Sequence, residues 1–295
     1  MWQAEFVKAK LEALRPGLAI TLNVIKTKGD KILDVPLSRV GGKGLFVKEI
    51  EEALLAGEAD LAVHSIKDVP MVLPEGLLLA CIPKRASCFD MYLSHTYPSL
   101  ADLPTGALVG TSSLRRQSQL LSQRSDLRVV SVRGNVDTRL RKLAQGEFDA
   151  LILAEAGCRR LGLTAPYTEV LSEELMLPAV GQGALGIECR GANYPLLCLL
   201  AELEDSETRV CVTCERSFLR TLDGGCQVPI GCHATLLDAD TILCTGMVGE
   251  VDGSRVLTVS QEGDADAATE LGENVARTLL EHGGRAILEK LYAVR

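Results

Sequence analysis

The chain has 295 residues, a formal net charge of −8, 47% hydrophobic residues and only 4% aromatic residues. This composition is typical of a globular protein of two or three domains with an aliphatic core. The acidic balance argues against general nucleic-acid binding, and no apolar run reaches the length of a membrane span. The ten cysteines lack the spacing of a secreted disulfide framework. They favour reduced thiols in the cytoplasm, or in an organelle matrix for a chain that has lost a targeting peptide.

The first segment predicts a helix over residues 2–14, ended by Pro16-Gly17, and then an alternating strand over residues 18–25. Further along, Gly41-Gly42-Lys43-Gly44 precedes a helical run over residues 45–55. The full phosphate-loop spacing is absent, so a glycine hinge or lid is at least as good an interpretation. Lys43 could reach an anion or be a solvated lysine.

A short buried strand at residues 60–63 leads into the sequence HSIKDVP. Lys67 and Asp68 therefore follow the carboxyl end of a strand, where ligands collect in α/β sheets. Asp68 could act as an acid–base group or stabilise a cation. The alternative is an ordinary surface ion pair between the two side chains.

Residues 110–142 form a basic window in this acidic chain, with eight Lys or Arg against two Asp. Two strand–turn–helix units fill the window, and each should aim the N–H groups of a helix N-terminus at one crevice. Hydroxyls of Ser112 and Ser113 could add donors. The arginines nearest the turns are the candidates for binding an anion with several carboxylates or phosphates: Arg115, Arg116, Arg133 and Arg139. Arg124, Arg128 and Arg141 are equally well explained as solvated surface residues.

The second half begins with a buried strand over residues 149–154, followed by Arg159-Arg160. A glycine-rich turn around Gln182 comes next. From about residue 202 a helix and then three strand-like runs and two helical runs predict a small α+β domain. Cys226 lies in a glycine- and proline-punctuated loop that should expose its sulfur. Cys211 and Cys214 have no second pair at zinc spacing, and no metal site is predicted.

Six motifs occur in order along the chain: VGGKGLFVKEIE at 40–51, HSIKDVP at 64–70, GTSSLRRQ at 110–117, VRGNVDTRLRKL at 132–143, PAVGQGALGIECR at 178–190 and LDGGCQVPIG at 222–231. Together they resemble the porphobilinogen deaminase family, also called the hydroxymethylbilane synthases. The resemblance implies an α/β fold of three domains. Two lobes like those of periplasmic binding proteins, with a cleft, would comprise residues 1–84 plus 185–202 and residues 85–184. An α+β domain would comprise residues 203–295.

The resemblance also implies a transferase that condenses four porphobilinogen molecules head to tail, with loss of ammonia, into the linear tetrapyrrole hydroxymethylbilane. Its primer would be a dipyrromethane cofactor joined by a thioether to Cys226, and Asp68 would be the catalytic carboxylate. The implied cofactor- and substrate-binding residues are Lys43, Lys67, Thr111, Ser112, Ser113, Arg115, Arg116, Arg133, Gly134, Asn135, Arg139, Arg160 and Gln182. A monomer without nucleic-acid, membrane or metal partners is expected.

One departure stands against this resemblance. The family begins with a strand and a Gly-Thr-Arg-x-Ser motif before the Trp-Gln pair, whereas this sequence begins at Met1-Trp2-Gln3. A first sheet without that strand should be less stable, with an exposed edge. The expectation is therefore low or absent activity for the chain as given. The alternative function is a non-catalytic anion-binding protein or an inactive truncated relative of the enzyme.

Overall fold

The computed structural model describes residues 1–27, 47–223 and 228–293. The predictions for Lys43 and Cys226 lie outside these residues. The chain forms two compact units. The first contains Met1–Arg85 and Ala184–Arg209, and the second contains Ala86–Gly183 and Val210–Arg295. Both units combine helices with β-sheet, which confirms the predicted α/β class.

The described α-helices are, in chain order, α1 (Trp2–Leu14), α2 (Lys48–Ala56), α3 (Leu114–Gln123), α4 (Val136–Ala144), α5 (Glu155–Leu161), α6 (Tyr194–Ala201), α7 (Ser206–Thr221), α8 (Ala268–Leu279) and α9 (Arg285–Ala293). The described strands are β1 (Leu61–Ser65), β2 (Leu77–Cys81), β3 (Asp90–Ser94), β4 (Leu108–Gly110), β5 (Arg128–Val130), β6 (Ala150–Ala154), β7 (Tyr167–Leu171), β8 (Leu185–Arg190), β9 (Ile230–Leu236), β10 (Thr241–Gly249) and β11 (Val256–Asp264). None of these helices is long and apolar enough to cross a membrane.

The first unit is built on a three-stranded sheet in the order β1-β8-β2, in which β8 is antiparallel to both neighbours. Helices α1 and α6 contribute Val7, Leu11 and Leu200 to one apolar cluster, and α2 contributes Leu54 to another. Leu77 and Cys81 of β2 belong to different clusters although they lie four residues apart. A register shift between Leu79 and Cys81 explains this, because an irregularity of this kind reverses the side-chain alternation.

The predicted strand over residues 18–25 is wrong. Residues 18–27 have no regular secondary structure and pair with no described strand. Lys8 Nζ donates to the carbonyl oxygen of Ile20 (2.7 Å), so a helix side chain binds a backbone group of this segment. Alternation of side chains is not enough to make a strand, because the backbone also needs a partner strand.

The second unit contains a five-stranded sheet in the order β5-β4-β6-β3-β7. Strand β4 is parallel to β5 and β6, whereas β3 is antiparallel to β6 and β7. The side chains of β6 alternate between two cores: Ala150 and Ile152 enter one, and Leu151 and Leu153 enter the other. Because of these strand directions, one edge of the sheet contains the carboxyl ends of β4, β5 and β6 together with the amino end of β3.

The rest of the second unit is an antiparallel sheet in the order β11-β10-β9, packed with α7, α8 and α9. The predicted strands and helices of this region are confirmed. Glu215 of α7 is fully buried and accepts hydrogen bonds from the backbone N–H of Gly181 (2.6 Å) and of Ala234 (3.0 Å). This carboxylate joins the glycine-rich turn before β8 to the antiparallel sheet.

Candidate active site

The candidate site lies at the edge of the five-stranded sheet where β4, β5 and β6 end. Gly110 is paired with Val130 and with Leu151 in the parallel register, so the turns that follow these strands are neighbours. The turn after β4 carries Thr111, Ser112 and Ser113, and that after β5 carries Arg133, Gly134 and Asn135. Helix α5, which carries Arg160, follows β6 directly.

Each of the two turns caps the helix that follows it. Ser113 Oγ accepts from the backbone N–H of Arg116 (3.5 Å), and Asn135 Oδ1 accepts from that of Thr138 (2.8 Å). Gly134 has φ +108°, and a Cβ there would lie 2.8 Å from Thr138 Cγ2. This turn therefore requires glycine.

Hydroxyl groups join the two turns. Ser112 Oγ donates to the carbonyl oxygen of Val132 (2.5 Å) and lies 3.2 Å from Ser131 Oγ. Thr111 is buried, and its Oγ1 accepts from the backbone N–H of Ser113 (3.2 Å). The two helix N-termini are thus held beside each other by side chains of the turns themselves.

A buried carboxylate, Asp90 at the start of β3, lies under this edge. It is 0% exposed, with Oδ2 at 2.7 Å from Arg115 Nη1 and Oδ1 at 2.8 Å from Arg116 Nη2. Gln182 Nε2 also donates to Asp90 Oδ1 (2.9 Å). Burial opposes ionisation, but the two guanidinium groups outweigh it and lower the pKa of Asp90 to about 2. Asp90 is thus an anion at neutral pH.

Asp90 was missed by sequence reasoning. It lies in none of the six motifs, and its only sequence signal is an acidic residue at the start of an apolar strand. Backbone groups hold Arg115 and Arg116 in addition to Asp90. Arg115 Nη1 donates to the carbonyl oxygen of Leu177 (2.6 Å), and Arg116 Nη1 donates to that of Ile152 (3.1 Å). These arginines are 4% and 7% exposed. Their binding of a ligand stays a prediction.

Three further arginines at the edge are half-buried: Arg133, Arg139 and Arg160. Arg139 Nε donates to the carbonyl oxygen of Gly134 (2.9 Å), and Arg160 Nη2 to that of Gly183 (2.7 Å). Burial lowers the pKa of both, and for Arg139 the positive charges of Arg116 and Arg133 lower it further. A bound polyanion would offset this repulsion, so the edge fits a group that carries several carboxylates.

The first unit carries the other candidate residues. Ile66–Asp68 form a 3₁₀ turn directly after β1, closed by a hydrogen bond from the backbone N–H of Val69 to the carbonyl oxygen of Ile66 (3.0 Å). Lys67 and Asp68 are both exposed. Asp68 has no hydrogen-bond or ion-pair partner among the residues that the structure describes, so an ion pair with Lys67 is not formed.

Three ionisable side chains are buried in the first unit near the start of this turn. His64 Nε2 lies 3.0 Å from Glu188 Oε2, and both side chains are at most 5% exposed. Glu51 of α2 is 8% exposed. Burial raises the pKa of Glu51, and the charge of Glu188 raises it further. Within the described part of the chain, no group of three or more His, Cys, Asp or Glu side chains could hold a metal ion.

The sheet edge, with two capped helix N-termini and several arginines, gives this α/β protein a site that would suit a polyanion. Comparison with known families identifies its family. Residues 1–196 match the family model "Porphobilinogen deaminase, dipyromethane cofactor binding domain", and residues 209–281 match "Porphobilinogen deaminase, C-terminal domain". The chain belongs to the porphobilinogen deaminase family.

Curated relatives agree with the family models. The chain is 56% identical over 296 residues to porphobilinogen deaminase from Nitratidesulfovibrio vulgaris, covering 99% of this chain and 93% of the relative. It is 53% identical over 290 residues to that from Syntrophobacter fumaroxidans, covering 98% and 94%. Among solved structures, a probable amino-acid ABC transporter extracellular-binding protein from Bacillus subtilis aligns with a TM-score of 0.41 and 12% identity, covering 68% of this chain and 79% of that one.

Proposed function

We propose that this chain is the transferase that condenses four porphobilinogen molecules head to tail, with loss of ammonia, into hydroxymethylbilane. The observation that carries the proposal is the 56% identity to a porphobilinogen deaminase over 99% of the chain. Both family models match as well, so the first 196 residues and the C-terminal region agree in one function.

The arginine-rich edge supplies a physical reason for this substrate. Each pyrrole of the product carries an acetate and a propionate, so every condensation adds two carboxylates. Guanidinium groups bind carboxylates through paired, charge-assisted hydrogen bonds. Arg133, Arg139 and Arg160 are half-buried at this edge, where such bonds are stronger than in bulk water. These three side chains would bind and orient the carboxylates of the growing chain.

The cofactor of this family is dipyrromethane, and it supplies the primer to which the incoming pyrroles are joined. Cys226 is the proposed attachment point, through a thioether. Thr111, Ser112, Ser113, Gly134 and Asn135 would contact the cofactor or substrate through hydroxyl groups and helix N-termini, which favour anions. Lys43, Lys67 and Gln182 complete the proposed set.

Asp68 is the proposed catalytic residue. Its carboxylate is exposed and has no partner among the described side chains, so it can approach a substrate without breaking an ion pair. A carboxylate can take up a proton and stabilise a positive charge that develops as ammonia leaves. It can also accept hydrogen bonds from pyrrole N–H groups and so orient the ring.

Asp90 would serve the site by holding arginines in place. Its two oxygens bind one guanidinium each, and both guanidiniums also bind backbone carbonyl groups. Arg115 and Arg116 are thereby fixed before any ligand arrives. Arrangement of this kind reduces the entropy lost on binding.

We propose that the enzyme acts as a monomer in the cytoplasm, without nucleic-acid or membrane partners. The domains would be residues 1–84 plus 185–202, residues 85–184 and residues 203–295. Lys67 and Asp68 would then belong to the first domain, the arginine edge to the second and the attachment cysteine to the third.

The direct test incubates the purified full chain with porphobilinogen and measures ammonia, porphobilinogen and hydroxymethylbilane over time. At whatever rate the chain turns over, the expected result is consumption of four porphobilinogen molecules for each tetrapyrrole released. Binding of porphobilinogen without release of ammonia would contradict the proposal and favour the non-catalytic alternative.

A further inference from the structure

Cys88, His233 and Glu173 form a row of three interacting side chains outside the site described above. Cys88 Sγ lies 3.3 Å from His233 Nε2, and His233 Nδ1 lies 2.8 Å from Glu173 Oε2. The three residues come from the segment before β3, from β9 and from the segment after β7. All of them belong to the second compact unit.

The geometry places one proton of the imidazole on Nδ1. The Glu173 carboxylate can only accept, so Nδ1 donates to it. One more proton then lies between Nε2 and Sγ, either on the sulfur or on the ring. This is the order of groups that activates cysteine nucleophiles: a thiol, an imidazole and a carboxylate that orients the imidazole.

The electrostatics of the site favour the protonated form of His233. Burial alone would lower the pKa of His233, but its hydrogen bonds with Cys88 and Glu173 outweigh burial and raise the pKa to about 10. The buried carboxylate of Glu215, on α7, acts in the same direction. An imidazolium beside a thiol stabilises the thiolate.

The surroundings restrict which reagents can reach the sulfur. Cys88 is 7% exposed, and the side chains of His233 and Glu173 are 12% and 30% exposed. The ring of Phe89 packs edge-on against the imidazole, with centroids 6.1 Å apart. A reagent near the size of water can approach such a site more easily than a bulky one.

We propose that Cys88 is a site of oxidation by hydrogen peroxide, at which His233 and Glu173 maintain the reactive thiolate. The thiolate sulfur attacks one peroxide oxygen and the O–O bond breaks. The departing hydroxide takes the proton from His233 Nε2 and leaves as water. Sulfur is oxidised by two electrons to a sulfenic acid, and the peroxide is reduced by two.

Two other thiols of the chain serve as controls with which the reactivity of Cys88 is compared. Cys198 on α6 is exposed, so it reports the reactivity of an accessible cysteine. Cys81 is 0% exposed, and burial followed by the charge of Glu204 raises its pKa to about 12. Cys88 should react faster than both, although Cys198 is far more accessible.

The experiment treats the reduced full chain with hydrogen peroxide at pH 6 and pH 8, stops the reaction with catalase, and denatures it in dimedone to label sulfenic acids. Peptide mass spectrometry then gives the oxidation rate of each cysteine. At pH 6 an ordinary thiol is less than about 1% thiolate. We expect Cys88 to be oxidised at least about tenfold faster than Cys198 at pH 6.

Variants separate the role of the imidazole from that of burial. His233→Gln should slow the oxidation of Cys88 at least about tenfold at pH 6 and make the rate of this oxidation rise with pH. His282→Gln, at an exposed histidine, should change nothing. Glu173→Gln is a milder change that should slow Cys88 less than His233→Gln, and it covers the case in which His233→Gln does not fold. A Cys88 that reacts no faster than Cys198 at pH 6 overturns the proposal, as does an unchanged rate in both Glu173→Gln and His233→Gln.

Oxidation of Cys88 should also disturb the arginine-rich sheet edge and so lower turnover. This expected loss of turnover rests on the proposed function. Gln182 Nε2 donates both to the carbonyl oxygen of Cys88 (2.6 Å) and to Asp90 Oδ1 (2.9 Å). An extra oxygen on a nearly buried sulfur should displace this backbone. Peroxide should therefore lower turnover, dithiothreitol should restore it, and Cys88→Ser should resist the loss. The labelling rates test the oxidation site even if the chain proves to have no turnover.

Discussion

Asp90 Oδ1 lies 2.8 Å from Arg116 Nη2, with the carboxylate 0% exposed. Arg115 binds the other oxygen of the same carboxylate. One buried anion thus faces two buried cations, which leaves one positive charge in this group of three. Arg133 and Arg139 add further positive charge beside Arg116. The edge is therefore electrostatically prepared for an anionic ligand before one binds.

The first prediction concerns the stability that this carboxylate provides. Asp90→Asn should lower the free energy of unfolding by about 3–5 kcal/mol, because it leaves two guanidiniums buried without their anion. Urea denaturation monitored by circular dichroism measures this. Asp126→Asn is the control, since Asp126 pairs with Arg124 near the surface. Its loss should lie close to the error of the measurement. Equal losses in the two variants would contradict this account.

The second prediction is a pH dependence at Glu51. The pKa of this buried carboxyl is raised above that in the unfolded chain, so ionisation of Glu51 destabilises the fold as pH rises through the folded-state pKa. Glu51→Gln should therefore increase the free energy of unfolding at pH 7, by up to about 1 kcal/mol, and this gain should vanish near pH 4.

Unfolding curves of both proteins at pH 4, 5, 6 and 7 test this dependence on pH. Glu52→Gln is the control, because Glu52 is exposed on the same helix. A gain that is the same at all four pH values would refute ionisation of Glu51 as its cause.

The third prediction is that Arg139 binds a substrate carboxylate and that Arg141, on the same helix, does not. Arg139→Gln should raise the KM for porphobilinogen about tenfold to a hundredfold, since a charge-assisted hydrogen bond contributes about 1.5–3 kcal/mol. It should not reduce stability, because it removes repulsion from Arg116 and Arg133. Steady-state kinetics provide the measurement. Arg141→Gln, exposed on the same helix, should stay within about twofold of wild type.

The fourth prediction concerns the attachment of the cofactor. The intact mass of the purified chain should exceed the mass calculated from the sequence by two pyrrole units, and this excess should disappear in Cys226→Ser. Cys198→Ser, which removes an exposed thiol, should retain it. An adduct that persists in Cys226→Ser would move the attachment point to another residue.

The fifth prediction is that Asp68 acts in chemistry and not in folding. Asp68→Asn should reduce kcat by at least about a hundredfold. The urea midpoint and the cofactor mass should not change, because the carboxylate is exposed and has no partner among the described residues. Glu75→Gln is the control, because it neutralises an exposed acid of the same unit, and it should keep the turnover of the unmutated chain. Normal turnover in Asp68→Asn would remove Asp68 from the mechanism.

Local sequence determined most of the secondary structure. Helix α1, strands β1 and β6 and the whole order of strands and helices after residue 202 follow from side-chain periodicity and from glycine and proline positions. The turns of the candidate site were also predictable, since Ser113 and Asn135 are capping residues placed directly before helical runs. Residues 18–25 were predicted wrongly, since their side chains alternate but the segment pairs with no strand that the structure describes.

Only the tertiary structure decided which side chains meet. Asp90 reaches Arg116, 26 residues away, because β3 enters the sheet antiparallel to β6 and so begins at the edge where the parallel strands end. Cys88 meets His233 across 145 residues, because the fold brings the segment before β3 beside strand β9. The chain carries its capping residues, arginines and family motifs in its sequence. The ion pairs of Asp90 with Arg115 and Arg116 depend on strand order and packing, which no local sequence pattern encodes.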